Sequence, residues 1–445
     1  MISILSPRFL VPVRPRGQVL QNHSVVLQNQ RILELLPTDE ARIKYPGMEE
    51  SVLADHVLIP GLVNMHTHSP MSLLRGYADD VGMQEWLQDK IWPVEDRFVS
   101  RQFVADGTRL AIAEMIRAGT TCFNENYFFP EAILETVQAC GIRASIGLPV
   151  IDVPNKWAKS AEECLQKDRD LYFSSQHSDR ISFTLAPHAP YTVSDEAFAE
   201  IAQLSDEWGI PVHLHLLETE YDQAHSLLHH SEKPLQRLKR LGLLNKRLLA
   251  VHMTQLDQND FELLAGSGVH VIHCPRSNLK LASGFCPVGQ LLAVGINVAV
   301  GTDGAASNNR LDMLSEAQTA ALLAKGLSGD ATAVDACTML EMMTLNGARA
   351  LGKADELGTI EPGKWADLAA LDLRAPETNP VHNVISQVAY AASSGQFTDV
   401  WVAGEPLLKD GNLTGINLPE VLRNAEDWRV RIASTAGHDV KSNLH

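Results

Sequence analysis

Two histidines one residue apart, His66 and His68, close the apolar run VLIPGLVNMHTH. Side chains at i and i+2 of a strand share a face, so two imidazoles placed this way can grip one ion. Other apolar runs end the same way: His188 in LAPH, His215 and Glu218 in HLHLLE, His252 in LLAVH and Asp303 in VAVGTD. His215 adds a third nitrogen and Asp303 an oxygen. Three imidazoles, a carboxylate and an open position suit Zn2+. Iron or manganese would fit the same donors, since geometry and availability decide selectivity. An H-x-H alone is weak in a chain with 17 histidines. Its weight comes from H-x-x-E, the later His and the T-D-G, each at the end of an apolar run. His213 shares a face with His215, and periodicity does not choose between them. His215 stands nearer the end of its run, which leaves His213 as a buried core histidine. His273 is expected to pack or to support its neighbours.

Something must bring these residues together. Short apolar runs at 57–66, 120–125, 144–150, 181–188, 211–218, 247–252, 269–275 and 296–303 alternate with helix-like stretches such as RQFVADGTRLAIAEMIRAG and DEAFAEIAQLSDEWG. Ser194 and Gly209 bracket the latter as N-cap and C-cap. Eight strands alternating with helices predict a (β/α)8 TIM barrel over 57–355. An open doubly wound sheet is the alternative, and no G-x-G-x-x-G follows the first run to support it. In a barrel every C-terminal strand end faces one mouth, so residues about 240 positions apart converge there. Residues 1–56 and 356–415 alternate short apolar and polar runs, and are expected to form one small β-sandwich beside the barrel. Residues 416–445 read as a helix and a polar tail. Arg143 begins the third run, at the wrong end for a site at the mouth. Arg276 and Lys280, in CPRSNLKLASG, follow the seventh run; mouth and plain surface are equally open for them.

Composition narrows the function. The chain of 445 residues is 45% hydrophobic with a net charge of −17. Nucleic acid needs a basic footprint and a polybasic membrane anchor needs lysines and arginines, so neither partner is expected. A small molecule with few phosphates is. The six cysteines are scattered without a C-x-x-C pair, as in a reduced intracellular protein. MISILSPRFLVPVRPRG lacks the unbroken apolar segment of a signal peptide, and no run reaches the length of a membrane span; the cytoplasm is the expected location. The H-x-E with P-C-x-x-C signature of one zinc-hydrolase design is absent, and so is H-E-x-x-H.

PGLVNMHTH, LAPHAPYT, HLHLLETE, VHMTQL, HCPRSNLKLASG and GTDGAASNN, in this order, resemble the amidohydrolase superfamily in its cytosine-deaminase-like and triazine-hydrolase branch. LGTIEPGKWADLAALD resembles that family's return to its small β-domain, so the likeness covers roughly residues 1–415. It implies one divalent cation, Zn2+ first, held by His66, His68, His215 and Asp303. The fourth run, ISFTLAPH, lacks the lysine that bridges two metals in binuclear relatives. Within the branch, GYADDVGMQEWLQDKIWPVEDRF resembles the lid of the methylthioadenosine and S-adenosylhomocysteine deaminases. That likeness implies Trp86 over a 5′ group, Glu95 on the ribose hydroxyls, His188 on the substrate and Ser307 on the base or tail. It implies a zinc-dependent deaminase of adenine nucleosides: Glu218 protonates ring N1, and His252 and Asp303 accept the proton of the attacking water. A homodimer is also what the resemblance suggests. Two alternatives stand beside it. One is a triazine chlorohydrolase or a deaminase of guanine or a pterin. The other is a noncatalytic barrel scaffold, against which the full set of ligands and acid–base groups speaks.

Overall fold

The computed structural model describes residues 2–175 and 178–442; the last three residues of the expected tail lie outside them. Eight parallel strands form one sheet in chain order: β1 Leu62–Thr67, β2 Thr120–Glu125, β3 Arg143–Val150, β4 Ile181–Pro187, β5 Val212–Leu216, β6 Leu248–His252, β7 His270–His273 and β8 Asn297–Val300. Helices cover them, and every residue of β3 is buried, as both faces of a parallel sheet must be. The sheet curls until β8 lies beside β1. Asp303 N donates to His66 O (2.9 Å), and Asn64 and Thr302 exchange two hydrogen bonds across the seam (2.7 and 3.0 Å). Gly301 permits this approach: a Cβ there would lie 2.6 Å from His66 N. This is the expected (β/α)8 barrel.

The first apolar run is two strands. Glu49–Pro60 belongs to a second sheet, Gly61 intervenes, and the barrel opens at Leu62. Unbroken hydrophobicity marks burial, and it does not show where a chain passes from one sheet into another. The second sheet has nine strands drawn from both ends of the chain, with Glu49–Pro60 antiparallel to Leu368–Asp372 at the join. Leu5, Val25, Leu58, Leu368 and Trp401 share one apolar cluster within it. The sandwich expected from the two ends is therefore one continuous mixed sheet. Arg143 fastens it to the barrel: its Nε and a terminal nitrogen reach the Asp367 carboxylate at 2.8 and 3.0 Å, fully buried. Removing one partner of such a pair leaves an uncompensated charge, at a cost of about 3–5 kcal/mol.

Three helices matter to the site or its frame: α1 Trp92–Phe98, α2 Arg101–Arg117 and α3 Ala161–Ser174. Ser100 caps α2 by accepting from Phe103 N (3.3 Å). Phe103, Val104, Ala111, Ile112 and Met115 form its buried face. The C-terminal helix Leu418–Ser442 docks on that helix, where Trp428 Nε1 donates to Asp106 (3.0 Å). Ser194 occupies the expected N-cap, but its hydroxyl makes no cap bond; Gly209 ends that helix in the left-handed conformation, as expected. Among the described residues no helix is long and apolar enough to cross a membrane.

Candidate metal and acid–base site

His66, His68, His215 and Asp303 meet at the C-terminal mouth of the barrel. His68 Nε2 and His215 Nε2 are 3.2 Å apart, and Asp303 Oδ1 lies 3.5 Å from His66 Nε2 and 3.4 Å from His68 Nε2. Their tautomers can be read from the other ring nitrogen. His68 Nδ1 lies 2.5 Å from Asn126 O and His215 Nδ1 lies 2.6 Å from His188 O. A carbonyl only accepts, so both Nδ1 atoms carry the hydrogen and both Nε2 atoms present a lone pair. Two lone pairs face each other with no proton between them, and His66 Nε2 is buried without a hydrogen-bond partner. A cation satisfies all three nitrogens at once; the donor set fits the ion that the sequence calls for.

Protonation states agree. Burial pulls His66 down to about 4 and lowers His68 and His215 as well, so the imidazoles are neutral at physiological pH. Burial alone would raise Asp303, yet its carboxyl is held well below the usual range, through His66 and then the charge of His66, His68 and His252 whenever one of these rings carries a proton toward it. Asp303 is also braced: Ser277 Oγ (2.6 Å) and Ser307 Oγ (3.1 Å) donate to Oδ2, and Gly304 N (2.7 Å) donates to Oδ1. His213 is buried, and it is more than core filling. Its Nε2 stands 2.9 Å from His66 Nδ1, behind the cradle.

Glu218 and His252 sit on the cavity side of this cluster, 3.6 Å apart. Burial, and then the Asp303 charge, push Glu218 up to about 8, so it holds a proton at neutral pH. His252 and Asp303 have φ of 76° and 61°, and Leu217 has 52°. Left-handed backbone at non-glycine residues costs about 1–3 kcal/mol each and persists where the surroundings impose it. Here it turns the side chains that follow β5, β6 and β8. Asn278 Nδ2 lies 2.9 Å from His252 Nδ1, while Asn278 Oδ1 is buried without a partner. Half a turn of that amide gives Oδ1 the Nδ1–H of His252 and leaves Nε2 as a lone pair.

A cavity of about 810 Å³, its open mouth included, continues from the cluster under the insertion that follows β1. Trp86, Glu95 and His188 line it, with Met83, Trp92 and Phe128 making much of the wall apolar. Trp86 Nε1 and Asn126 Nδ2 are buried donors without a protein partner. Ser307 is not among the lining side chains; its hydroxyl is turned to Asp303 and Ser277. Tyr127, Asn278 and Ser277 escaped the sequence reading. Tyr127 sits in the loop after β2, and Ser277 and Asn278 in the short helix Pro275–Lys280 that follows β7, where no strand period points inward, although the rule that every segment after a barrel strand reaches the mouth covers them. Lys280 ties Asp79 of the insertion to Asn309, and Arg276 Nε reaches Asn308 (3.2 Å); neither lines the cavity.

Residues 57–407 match the amidohydrolase family. The chain belongs to this family. It is a hydrolase acting on C–N bonds. Among amidohydrolases it is similar to a 5-methylthioadenosine/S-adenosylhomocysteine deaminase of Teredinibacter turnerae, 44% identical over 97% of both chains. It is 38% identical to a 5′-deoxyadenosine deaminase of Methanopyrus kandleri, over 98% of this chain and all of that one. A crystal structure of an adenosine deaminase from Xanthomonas campestris with bound zinc superposes with a TM-score of 0.94 at 49% identity, covering 97% of this chain and 98% of the other.

Proposed function

We propose that this amidohydrolase deaminates adenine nucleosides, among them 5′-methylthioadenosine, S-adenosylhomocysteine and adenosine, giving the inosine analogue and ammonia. The names of its relatives support that substrate class. The observation that carries the chemistry is the buried Glu218 carboxyl, 3.6 Å from His252 and beside a cradle of bare imidazole lone pairs.

His66, His68, His215 and Asp303 would hold a single divalent cation, Zn2+. When bound, such an ion acidifies water enough to make it a nucleophile at neutral pH. The chain's own groups do the rest. Glu218 donates its proton to ring N1, which drains electron density from C6 and opens it to water. His252, through Nε2 with Asn278 Oδ1 on its other nitrogen, accepts the proton that water loses, and Asp303 shares in that transfer. Glu218 then helps return a proton to the departing amine. At the far end of the cavity Glu95 accepts from the ribose hydroxyls, His188 binds the substrate, and Trp86 covers the 5′ group while its free indole N–H offers a donor. The insertion after β1 excludes bulk water from the reacting end.

Purified, zinc-loaded protein incubated with each of the three nucleosides should shift the ultraviolet absorbance from adenine to hypoxanthine. No shift with any of them ends the proposal.

A further inference from the structure

Two adjacent residues of the loop after β2 hold opposite ends of the cavity. Asn126 O accepts from His68 Nδ1 (2.5 Å), at the cation cradle. Tyr127, next in sequence and 5% exposed, donates its hydroxyl to Glu95 Oε1 (2.5 Å) on α1. Glu95 and Tyr127 both line the cavity, and among the described residues Tyr127 is the one hydrogen-bond partner of the Glu95 carboxylate. The Tyr127 ring is itself held, 5.5 Å from the Phe128 ring and 6.4 Å from the His68 ring. One dipeptide therefore fixes how far the carboxylate of the lid stands from the reacting end.

We infer that Tyr127 is a positioning residue for nucleoside selection: its hydroxyl anchors Glu95 by one oxygen and leaves the other to accept from the vicinal diol of ribose. The inference rests on the deaminase function proposed above. A carboxylate has room for this division of labour, with about four acceptor positions on two oxygens. It must be ionised to accept from two hydroxyls. Burial opposes that, pushing Glu95 up to about 7, and the Tyr127 hydroxyl is the one group that pulls it back. Phenylalanine at 127 would keep the ring and the cavity wall, and would free Glu95 to rotate and to hold a proton.

The test compares adenosine with 2′,3′-dideoxyadenosine as substrates of the zinc-loaded enzyme, reading kcat/KM for each. In Y127F the preference for adenosine should fall by about tenfold or more, the worth of a hydrogen bond to a charged group, with the loss mainly in KM. Placing Y127F on an E95Q background should change that preference less than about twofold, because the two residues act as one unit. Y127H, which keeps a ring and a donor with shorter reach, should lie between; it also stands in should Y127F fail to fold. Equal losses on both substrates, or independent effects of Y127F and E95Q, would overturn the inference. If the unmodified enzyme deaminates neither of these nucleosides, nor 5′-methylthioadenosine or S-adenosylhomocysteine, the deaminase function falls and takes this inference with it. If it deaminates both without preference, Glu95 does not read the diol and the inference falls while deamination stands.

Discussion

His213 stands behind the cation cradle, and replacing it by leucine separates a supporting role from a packing role. For His66 to turn a lone pair on Nε2 toward a cation, its proton must sit on Nδ1, and the acceptor for that proton is His213 Nε2 at 2.9 Å. H213L removes the acceptor and sets methyl groups against a fully buried N–H. A buried donor left without a partner costs about 1–3 kcal/mol. Most of that cost falls on the cation-bound form. Without the ion the His66 proton is free to move to Nε2, which faces Asp303 Oδ1 at 3.5 Å. The loss should therefore appear as zinc affinity weakened by about 10–100-fold, the usual effect of deleting a group that orients a metal-binding histidine. H213Q places an amide oxygen near the lost nitrogen and should recover most of the affinity. Titration against a chelator of known affinity, followed by metal content after desalting, reads both variants. If H213L folds and binds zinc within about twofold of the unmodified protein, the tautomer argument is wrong, and with it the reading of His66 as a ligand.

Three other perturbations test the site and its frame. E218Q keeps the shape of the acid and removes its proton; kcat should fall by about 10²–10⁴-fold with zinc content unchanged, and a loss below tenfold would disqualify Glu218 as the general acid. Adding Zn2+ to chelator-treated protein should raise the melting temperature progressively, since an ion held between β1, β5 and β8 stabilises the folded form by about 4 kcal/mol at a thousandfold excess over Kd; melting that ignores zinc would count against the cradle. Asp168, on α3, is fully buried with neither carboxylate oxygen partnered, and burial raises its pKa well above the ordinary value. The folded state thus holds its proton more tightly than the unfolded chain does, and stability drains away as pH rises above the unfolded value. D168N removes that titration and should out-melt the unmodified protein by a margin that grows from about pH 5 to pH 8, whereas a margin flat in pH would contradict the assignment.

The features legible in the sequence are those that a period of two or a strand end can encode. His66 and His68 were readable because alternate strand residues share a face. Glu218, His252 and Asp303 were readable because barrel strands end at one mouth. His213 and His215 were indistinguishable for the same reason: the structure turns both toward His66 and His68, one at the mouth and one beneath it. The boundary at Gly61 was hidden, because Ile59 and Leu62 are equally buried on either side of it and belong to different sheets. Ser307, which the resemblance assigns to the base or tail, turns its hydroxyl to Asp303 and Ser277 in the structure. Tyr127 stands in a loop and Asn278 on a short helix, and both act through other side chains, which no strand period encodes.

The loop after β2 shows why such residues matter to a barrel with a large insertion. Glu125 ends β2 and accepts from Thr67 Oγ1 (2.9 Å), from Ser69 N (3.0 Å) and from Asn126 N (3.1 Å), so it clamps the segment of β1 that carries His68. Asn126 holds the His68 ring, and Tyr127 holds Glu95 on the far side of the same insertion. Three consecutive residues thus fix the start of the insertion, the cradle and the lid helix to a single strand end. The insertion runs through a short helix, a distorted turn and α1, and has no β-ladder of its own to set its register. Its position over the cavity is taken from β2, from α2, against which its first turn packs, and from the Lys280 tie to Asp79. Under the proposed function the lid would read the sugar and the mouth would hold the base, and those two ends must then stand at a fixed separation. Here that separation is written into the spacing of side chains along one loop.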